Sequence, residues 1–333
     1  MTVVFHVGFP KAASTTLQKS LFAKHSEIVN LGIYPTGNIG KDSKDTEPTN
    51  APILQDSRIK SLYQSLTNED GVLFDGSATK QLLHTLVDEY KIDDSTIIFS
   101  SESVLSGRFS NPEIIEKARR TQVICPQAKI LIVIRSQVDM LKALYRDHPF
   151  DPRTLAYRPR PVSFSEWLKI QLELPYLSLT NTLLFSKVVE RYEQLFPEEQ
   201  ILVLPLELLK EQPQVFVKDL ANFLDIDSAE TALLLKSKPE NQGISALGNQ
   251  YRRWRSRLMP YAKILKPARS LLASVDEKLF SAFRALGKTE RIVISESDRL
   301  LLYKKYVEDN TSLAERRNLP LARLGYLTSE LDN

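Results

Sequence analysis

A short apolar run that stops at a turn and leads into a helical pattern is the feature that most constrains this chain. The stretch is Thr2 to Phe22, TVVFHVGFPKAASTTLQKSLF. An almost unbroken run of β-forming residues is typical of a strand buried on both faces of a parallel sheet. Gly8 and Pro10 end the predicted strand, and apolar residues recur at helical spacing from Leu17 onward. This order of elements predicts an α/β domain with an anion-binding turn after its first strand.

The turn carries a lysine and three consecutive hydroxyl side chains. Lys11 lies three residues before Ser14, and Thr15 and Thr16 follow in what we expect to be the first helical turn, where backbone N–H groups lack intrahelical partners. In a Walker A loop the lysine directly precedes the Ser/Thr, after two spaced glycines, so this turn is of a different kind. The alternative interpretation is an ordinary strand-to-helix turn capped by serine and threonine.

Further apolar runs predict the other strands of the same sheet. They are Thr96 to Ser100, Lys129 to Ile134 and Ile201 to Leu204, with possible short strands at Leu31 to Tyr34 and Ile292 to Ile294. Helical patterns separate the main runs, which indicates βαβ units and a mainly parallel sheet covered by helices on both faces. From about residue 240 onward the pattern is mainly helical.

Charged and hydroxyl side chains follow three of the predicted strands. Gly8 to Lys11 ends the first strand, Ser101 to Ser103 follows the second, and Arg135 follows KILIVI. Because ligands of parallel α/β sheets bind beyond the carboxyl ends of the strands, we expect these segments to form one site.

Composition narrows the class of protein. The chain has 333 residues, of which 42% are hydrophobic and 26% charged, and its net charge of +3 does not indicate a nucleic-acid-binding protein. No apolar run approaches the roughly 20 residues that cross a bilayer. Because Met1 leads straight into the first predicted strand, we expect no signal peptide. The single cysteine, Cys125, fits a reducing compartment. We therefore expect a cytoplasmic protein.

Phe9 to Thr15, FPKAAST, resembles the 5′-phosphosulfate loop of sulfotransferases that use 3′-phosphoadenosine 5′-phosphosulfate (PAPS). The pattern of that family is roughly aromatic-Pro-Lys-x-Gly-Thr-Thr. Ala13 departs from it, because the family usually has glycine there. If the position needs a positive φ or a close approach to phosphate, alanine carries a conformational cost; in the right-handed helical region it carries none.

A second segment is similar to the 3′-phosphate element of the same family. Arg135 is followed ten residues later by Tyr145, as in the family, but Ala143 stands where the family has serine. A guanidinium at a strand end can bind phosphate with two hydrogen bonds. An ion pair of Arg135 with Asp139, four residues on, is the alternative interpretation.

The resemblance extends over most of the chain and is strongest to bacterial members that modify carbohydrates. It implies a three-layer α/β sandwich with a central, mainly parallel sheet like that of P-loop kinases, a core over residues 1–235 and a mainly helical extension over 236–333. It also implies PAPS as donor, the product 3′-phosphoadenosine 5′-phosphate (PAP), no metal, and a carbohydrate or polysaccharide acceptor. The residues that it assigns to the donor are Pro10, Lys11, Ala12, Ala13, Ser14, Thr15, Thr16, Arg135, Tyr145, Asn241, Ser245 and Arg252.

Lys11 and Glu102 are the predicted catalytic residues. A cation at the bridging oxygen stabilises the charge that develops on the leaving phosphate, which is the role implied for Lys11. Sulfuryl transfer also needs a base within hydrogen-bond reach of the attacking hydroxyl, and the resemblance gives this role to Glu102 in the segment Ser-Ser-Glu. The sequence leaves four rival bases: His6, His25, Asp75 and His148. Of these, His6 lies within the first strand, a position that favours its interpretation as a core histidine.

The basic block Arg252 to Arg269 leaves three interpretations open: a solvated helix face, a docking surface for an acidic glycan, or a contact with anionic membrane. Two alternative functions also stay open. One is a P-loop phosphotransferase, which would need a Walker lysine and an acidic Mg²⁺ site. The other is a protein that binds a nucleotide or glycan on this scaffold without catalysis, which the departures at Ala13 and Ala143 allow.

Overall fold

Five short apolar runs form one all-parallel sheet in the computed structural model. Its strands are β1 (Thr2–Gly8), β2 (Ile28–Asn30), β3 (Thr96–Ser101), β4 (Lys129–Ile134) and β5 (Ile201–Pro205). They pair in the order β2-β3-β1-β4-β5, so the strand that precedes the lysine turn lies at the centre. The structure describes residues 2–31, 56–92, 94–101, 114–154, 160–174, 180–236, 245–262, 279–280, 282–283 and 290–329.

Helices connect the strands and also follow the last strand. They are α1 (Ser14–Thr16), which continues as a π-helix over Leu17–Phe22, α2 (Ser57–Thr67), α3 (Gly76–Tyr90), α4 (Ile114–Ile124), α5 (Gln137–Asp147), α6 (Phe164–Glu173), α7 (Phe185–Glu193), α8 (Glu207–Glu211), α9 (Pro213–Leu224), α10 (Ser228–Leu235), α11 (Ala246–Ala262) and α12 (Glu296–Arg317). The α/β prediction with a central parallel sheet is confirmed. Within the described ranges, none of these helices has the length and apolarity that crossing a bilayer requires.

The two predicted short strands differ from the structure. The strand expected from Leu31 begins earlier, at Ile28, and the N–H of Leu31 extends its ladder by donating to the carbonyl oxygen of Ile98 at 2.8 Å; residues 32–34 lie outside the described part of the chain. Residues 290–295 form no strand, and Val293 is 79% exposed. The prediction at Ile292 to Ile294 is therefore wrong, because a short apolar run forms a strand only where a neighbouring strand pairs with it.

Successive residues of β1 face opposite sides of the sheet, where two groups of helices cover it. Phe5 stacks on Phe99 of β3 and lies beside Tyr63 of α2, on the side where α2, α3 and α4 pack together. His6 points to the other side and contacts Phe22 of the π-helix, which packs with α10. This alternation explains why β1 reads as a continuous apolar run.

Contacts divide the chain into two compact units. The first comprises Met1–Ser136, Thr182–Glu240 and Glu308–Asn333 and contains the whole sheet. The second comprises Gln137–Asn181 and Asn241–Val307 and contains α5, α6 and α11. The division into residues 1–235 and 236–333 that the sequence suggested stays a prediction.

Candidate anion-binding site

The turn after β1 has an unusual backbone. Lys11 has φ 67° and Ala13 has φ 58°, so two non-glycine residues, separated only by Ala12, adopt the left-handed conformation. Alternation of left-handed and other conformations turns successive N–H groups toward a common point and forms a concave anion-binding nest. The buried residue between them, Ala12, donates its N–H to the carbonyl oxygen of Phe9 at 3.2 Å and closes the turn. The turn therefore has the backbone of an anion cradle.

Ala13 occupies the conformation that favours glycine. Its φ of 58° and ψ of 19° lie in the left-handed region, at the N-cap of α1. The methyl group of an L-residue costs about 1–2 kcal/mol there. The departure from the family pattern thus has a conformational cost.

Gly8 and Ser14 come together beneath the turn. A Cβ atom on Gly8 would lie 2.7 Å from Oγ of Ser14, so the close approach requires glycine. Ser14 is 2% exposed, and its hydroxyl donates to the carbonyl oxygen of Phe9 at 3.2 Å. The Ser14 hydroxyl therefore stabilises the turn. The half-buried side chains of Thr15 and Thr16 make no hydrogen bond to another described residue.

Arg135 links the end of β4 to the lysine turn. Its Nη1 donates to the carbonyl oxygen of Lys11 at 2.9 Å, and its side chain is half-buried. This contact follows from the register, because Gly8 of β1 pairs with Val133 of β4 and both chains continue past the same edge of the sheet. A guanidinium has five N–H donors, so one bond to Lys11 leaves the others for a ligand. Two of the three predicted segments are thus adjacent.

A buried polar network joins β1, β3 and the π-helix that follows the turn. Oγ of Ser100 on β3 lies 2.7 Å from Nδ1 of His6 and accepts a hydrogen bond from Nε2 of Gln18 at 2.9 Å. Complete burial lowers the pKa of His6 to about 3, so its imidazole is neutral at physiological pH. His6 is therefore a core residue, as its position in the strand indicated.

The other rival bases differ in setting. His25 is fully buried, with Nε2 at 3.2 Å from the carbonyl oxygen of Asp227. Asp75 caps α3 by accepting from the N–H of Ala78 at 2.9 Å. His148, in the second unit, is exposed. Glu102, the predicted base, and Asn241 lie outside the described residues; Ser101, which precedes Glu102 in the chain, pairs with Val7 of β1.

Three predicted donor-binding residues belong to the second unit. The hydroxyl of Tyr145 donates to the carbonyl oxygen of Val162 at 2.7 Å and accepts from Nη2 of Arg253, and burial raises its pKa. Ser245 caps α11 by accepting from the N–H of Gly248 at 3.0 Å. The half-buried Arg252 lies over the ring of Phe150, and desolvation lowers its pKa. Each of the three has a structural contact within its own unit.

Two residues that the sequence did not indicate, Glu207 and Tyr326, lie near the site, and Glu207 contacts the residue range that follows β4. Glu207, at the start of α8, accepts from the N–H of Ser136 at 2.9 Å and from the hydroxyl of Tyr326 at 2.7 Å. These partners are 71 and 119 residues away along the chain, so no local sequence pattern indicates them.

Among the residues that the structure describes, no cluster of three or more histidine, cysteine or acidic side chains has the geometry to hold a metal ion.

Comparison with known proteins gives similarity at the level of structure. A sulfotransferase from Alicyclobacillus acidocaldarius is 20% identical, with a TM-score of 0.42 over 68% of this chain and 82% of its own. The sulfotransferase domain of the Synechococcus PCC 7002 olefin synthase is 13% identical, with a TM-score of 0.38 over 72% of this chain and 78% of its own. No protein-family model matches the sequence. No curated protein matches it either.

Proposed function

We propose that this protein is a sulfotransferase that moves a sulfuryl group from PAPS to a hydroxyl or amine of a carbohydrate or similar glycan acceptor. The observation that carries the proposal is the hydrogen bond from Arg135 to the carbonyl oxygen of Lys11, at 2.9 Å. It joins the two sequence segments that resemble the phosphate-binding elements of PAPS-dependent enzymes. A lysine turn alone would fit many anions, whereas two adjacent cationic elements suit a donor with phosphate groups at two positions.

The turn from Pro10 to Thr16 holds the 5′-phosphosulfate in this proposal. The N–H of Ala13 and the N–H groups in the first turn of α1 contact the phosphate oxygens, with the hydroxyls of Thr15 and Thr16. Ser14 contributes through its backbone, because its hydroxyl already donates to Phe9. Lys11 places its ammonium at the oxygen that bridges phosphorus and sulfur.

Arg135 binds the 3′-phosphate with the donors that Lys11 does not use. Tyr145, Asn241, Ser245 and Arg252 are the further donor contacts that we propose from the resemblance. PAPS supplies the activated sulfuryl group, and the residues named supply binding, orientation and charge. Transfer by this route needs no metal, because positioning and electrostatic stabilisation account for most of such catalysis.

Glu102 is the proposed base. The acceptor oxygen forms a bond to sulfur as the bond from sulfur to the bridging phosphate oxygen breaks, and the acceptor proton passes to the Glu102 carboxylate. The electron pair of the broken bond stays on the phosphate, where Lys11 offsets the added charge. PAP and the sulfated acceptor are the products. We expect this reaction in the cytoplasm, because a chain with a single cysteine, Cys125, fits a reducing compartment.

A screen of saccharide acceptors with sulfur-labelled PAPS tests the proposal. Wild-type protein should label at least one acceptor, and Lys11→Ala should reduce the rate about 10²- to 10³-fold, as is usual when one charge-stabilising group is lost. Lys19→Ala, an exposed lysine on the same helical segment, is the matched control and should keep full activity. Glu102→Gln should abolish transfer while PAP still binds. Full activity of Glu102→Gln would refute the role of Glu102, and full activity of Lys11→Ala would refute the proposed use of the turn.

A further inference from the structure

The carboxylate of Glu207 joins two distant parts of the first unit. Its Oε1 accepts from the backbone N–H of Ser136 at 2.9 Å, and its Oε2 accepts from the hydroxyl of Tyr326 at 2.7 Å. Both oxygens of one carboxylate are thus bonded, each to a different donor. Hydrogen bonds that involve an ionised partner are shorter and stronger than neutral ones. This arrangement fixes the carboxylate at a single orientation.

Sheet register explains why Glu207 meets Ser136. Ile134 of β4 pairs with Pro205 of β5, and the N–H of Leu206 donates to the carbonyl oxygen of Ile134 at 2.8 Å. Two residues further along each chain, Ser136 and Glu207 come side by side. Ser136 directly follows Arg135 in the chain. The contact therefore anchors the residue next to the arginine that holds the lysine turn.

Tyr326 also reaches the lysine turn through a chain of aromatic rings. Its side chain is fully buried, and its ring lies 6.5 Å from that of Phe185 at an angle of 66°. The ring of Phe185 in turn packs edge-to-face on Phe9 of the turn, with the centroids 4.9 Å apart. Such contacts add to the burial of the rings and hold them in a defined geometry. Tyr326 thus supports the site in two ways, through the hydrogen bond of its hydroxyl to Glu207 and through the packing of its ring on Phe185.

We propose that Glu207 and Tyr326 are positioning residues for the donor site. Glu207 holds the end of β4, and with it Arg135, while Tyr326 orients the Glu207 carboxylate and supports Phe9 through the ring of Phe185. The C-terminal segment that carries Tyr326 is accordingly part of the phosphate-binding machinery, although it is far from the turn in sequence. The consequence for donor binding rests on the proposed function; the fixing of the β4 end does not.

Tyr326→Phe is the most selective test, because it removes one hydroxyl and keeps the ring that packs on Phe185. Tyr192→Phe is its matched control: Tyr192 lies on the same helix as Phe185, is fully buried, and its hydroxyl has no hydrogen-bond partner among the described residues. Glu207→Gln is the second test variant. The side chain of glutamine has one oxygen that accepts and one nitrogen that only donates, so it cannot accept from Ser136 and Tyr326 through two separate atoms as the carboxylate does. Each variant is compared with wild type in two measurements, amide hydrogen exchange at Ser136 by NMR and PAP affinity by calorimetry.

Tyr326→Phe and Glu207→Gln should each speed exchange of the Ser136 amide and weaken PAP binding about 3- to 10-fold, the loss of part of one charge-assisted hydrogen bond. With PAPS, the KM should rise more than kcat falls, because the residues position the donor and do not touch the reacting atoms. Tyr192→Phe should change neither Ser136 exchange nor PAP affinity. Unchanged Ser136 exchange and PAP affinity in both test variants would overturn the proposal, as would an equal effect of Tyr192→Phe.

A wild-type protein that binds no PAP would refute the proposed function separately. In that case exchange at Ser136 would still decide whether Glu207 and Tyr326 hold the end of β4. If Glu207→Gln fails to fold, Tyr326→Phe carries the test alone, because loss of one hydroxyl is the smaller change.

Discussion

Nη1 of Arg135 donates a hydrogen bond to the carbonyl oxygen of Lys11 at 2.9 Å, which ties the end of one strand to the turn that follows its neighbour. The bond depends on the side chain of Arg135 but only on the backbone of Lys11. Substitution of Lys11 therefore preserves the link, whereas substitution of Arg135 changes both the link and the charge. The two residues can be tested separately for this reason.

Arg135 should determine the preference for a 3′-phosphate. We expect wild-type protein to bind PAP more tightly than adenosine 5′-phosphate, which lacks that group. Arg135→Lys should lose most of this preference, about tenfold or more in Kd, because an ammonium cannot form the planar two-pronged contact with phosphate. Calorimetry of both nucleotides with both proteins gives the comparison. An unchanged ratio of the two Kd values in Arg135→Lys would show that Arg135 does not bind the 3′-phosphate.

Ala13→Gly should stabilise the protein. Alanine costs about 1–2 kcal/mol in the left-handed conformation, and glycine costs about 0.5–1 kcal/mol of chain entropy, so the expected gain is roughly 0.5–1 kcal/mol in the free energy of unfolding. Ala12→Gly is the control, because Ala12 is fully buried and is not among the residues with positive φ. It should destabilise the protein by about 1 kcal/mol. Urea unfolding measures both, and a loss of stability in Ala13→Gly would contradict the observed backbone.

Gly8→Ala should destabilise the protein by about 1–3 kcal/mol, because the new methyl group meets Oγ of Ser14 at 2.7 Å. Gly71→Ala is the matched control, since its nearest neighbour would lie 3.9 Å away, and it should change stability little. Adding Ser14→Ala to Gly8→Ala should recover part of the loss, as expected for two groups in direct contact. Strict additivity of the two substitutions in urea unfolding would show that the two positions do not approach each other.

Four of the five strands, β1, β3, β4 and β5, could be predicted from the sequence, because they are buried and their sequences are apolar runs. The pattern was misleading where burial is partial: Ile292 to Ile294 is a short run of β-branched apolar residues, yet Val293 is exposed. The prediction for edge strand β2 was placed too far along the chain for a related reason. This strand is three residues long and ends in the polar residue Asn30, so its sequence gives only a weak strand pattern.

The charged residues of the site could be predicted from the sequence, whereas the hydrogen bonds that hold the site in place could not. Lys11 and Arg135 follow strands, and their proximity follows from parallel topology alone. The inward turn of the Ser14 hydroxyl and the bond of Gln18 to Ser100 depend on tertiary packing, which has no local period. The contacts of Glu207 with Ser136 and Tyr326 likewise join segments that only the completed fold brings together.

His6 should make stability sensitive to acid. Its pKa is lowered to about 3 in the folded protein, against 6.5 for an ordinary histidine, so the unfolded chain binds the proton first. Stability is therefore full above pH 6.5 and falls between pH 6.5 and about 3, by up to about 1.4 kcal/mol per pH unit. His6→Gln should flatten this part of the curve, whereas His84→Gln, at an exposed site, should not. Equal pH dependence of His6→Gln and wild type in urea unfolding would exclude this account.

Calorimetric titration of the wild-type protein with PAP, ATP and Mg²⁺-ATP tests the central claim most directly. A site built from the lysine turn and Arg135 should bind PAP with a Kd in the micromolar range and show no preference for Mg²⁺-ATP, because the turn lacks the lysine spacing of a Walker loop. Binding of PAP without turnover of PAPS in the acceptor screen would favour the non-catalytic alternative. Tighter binding of Mg²⁺-ATP than of PAP would contradict the sulfotransferase proposal and indicate a phosphotransferase.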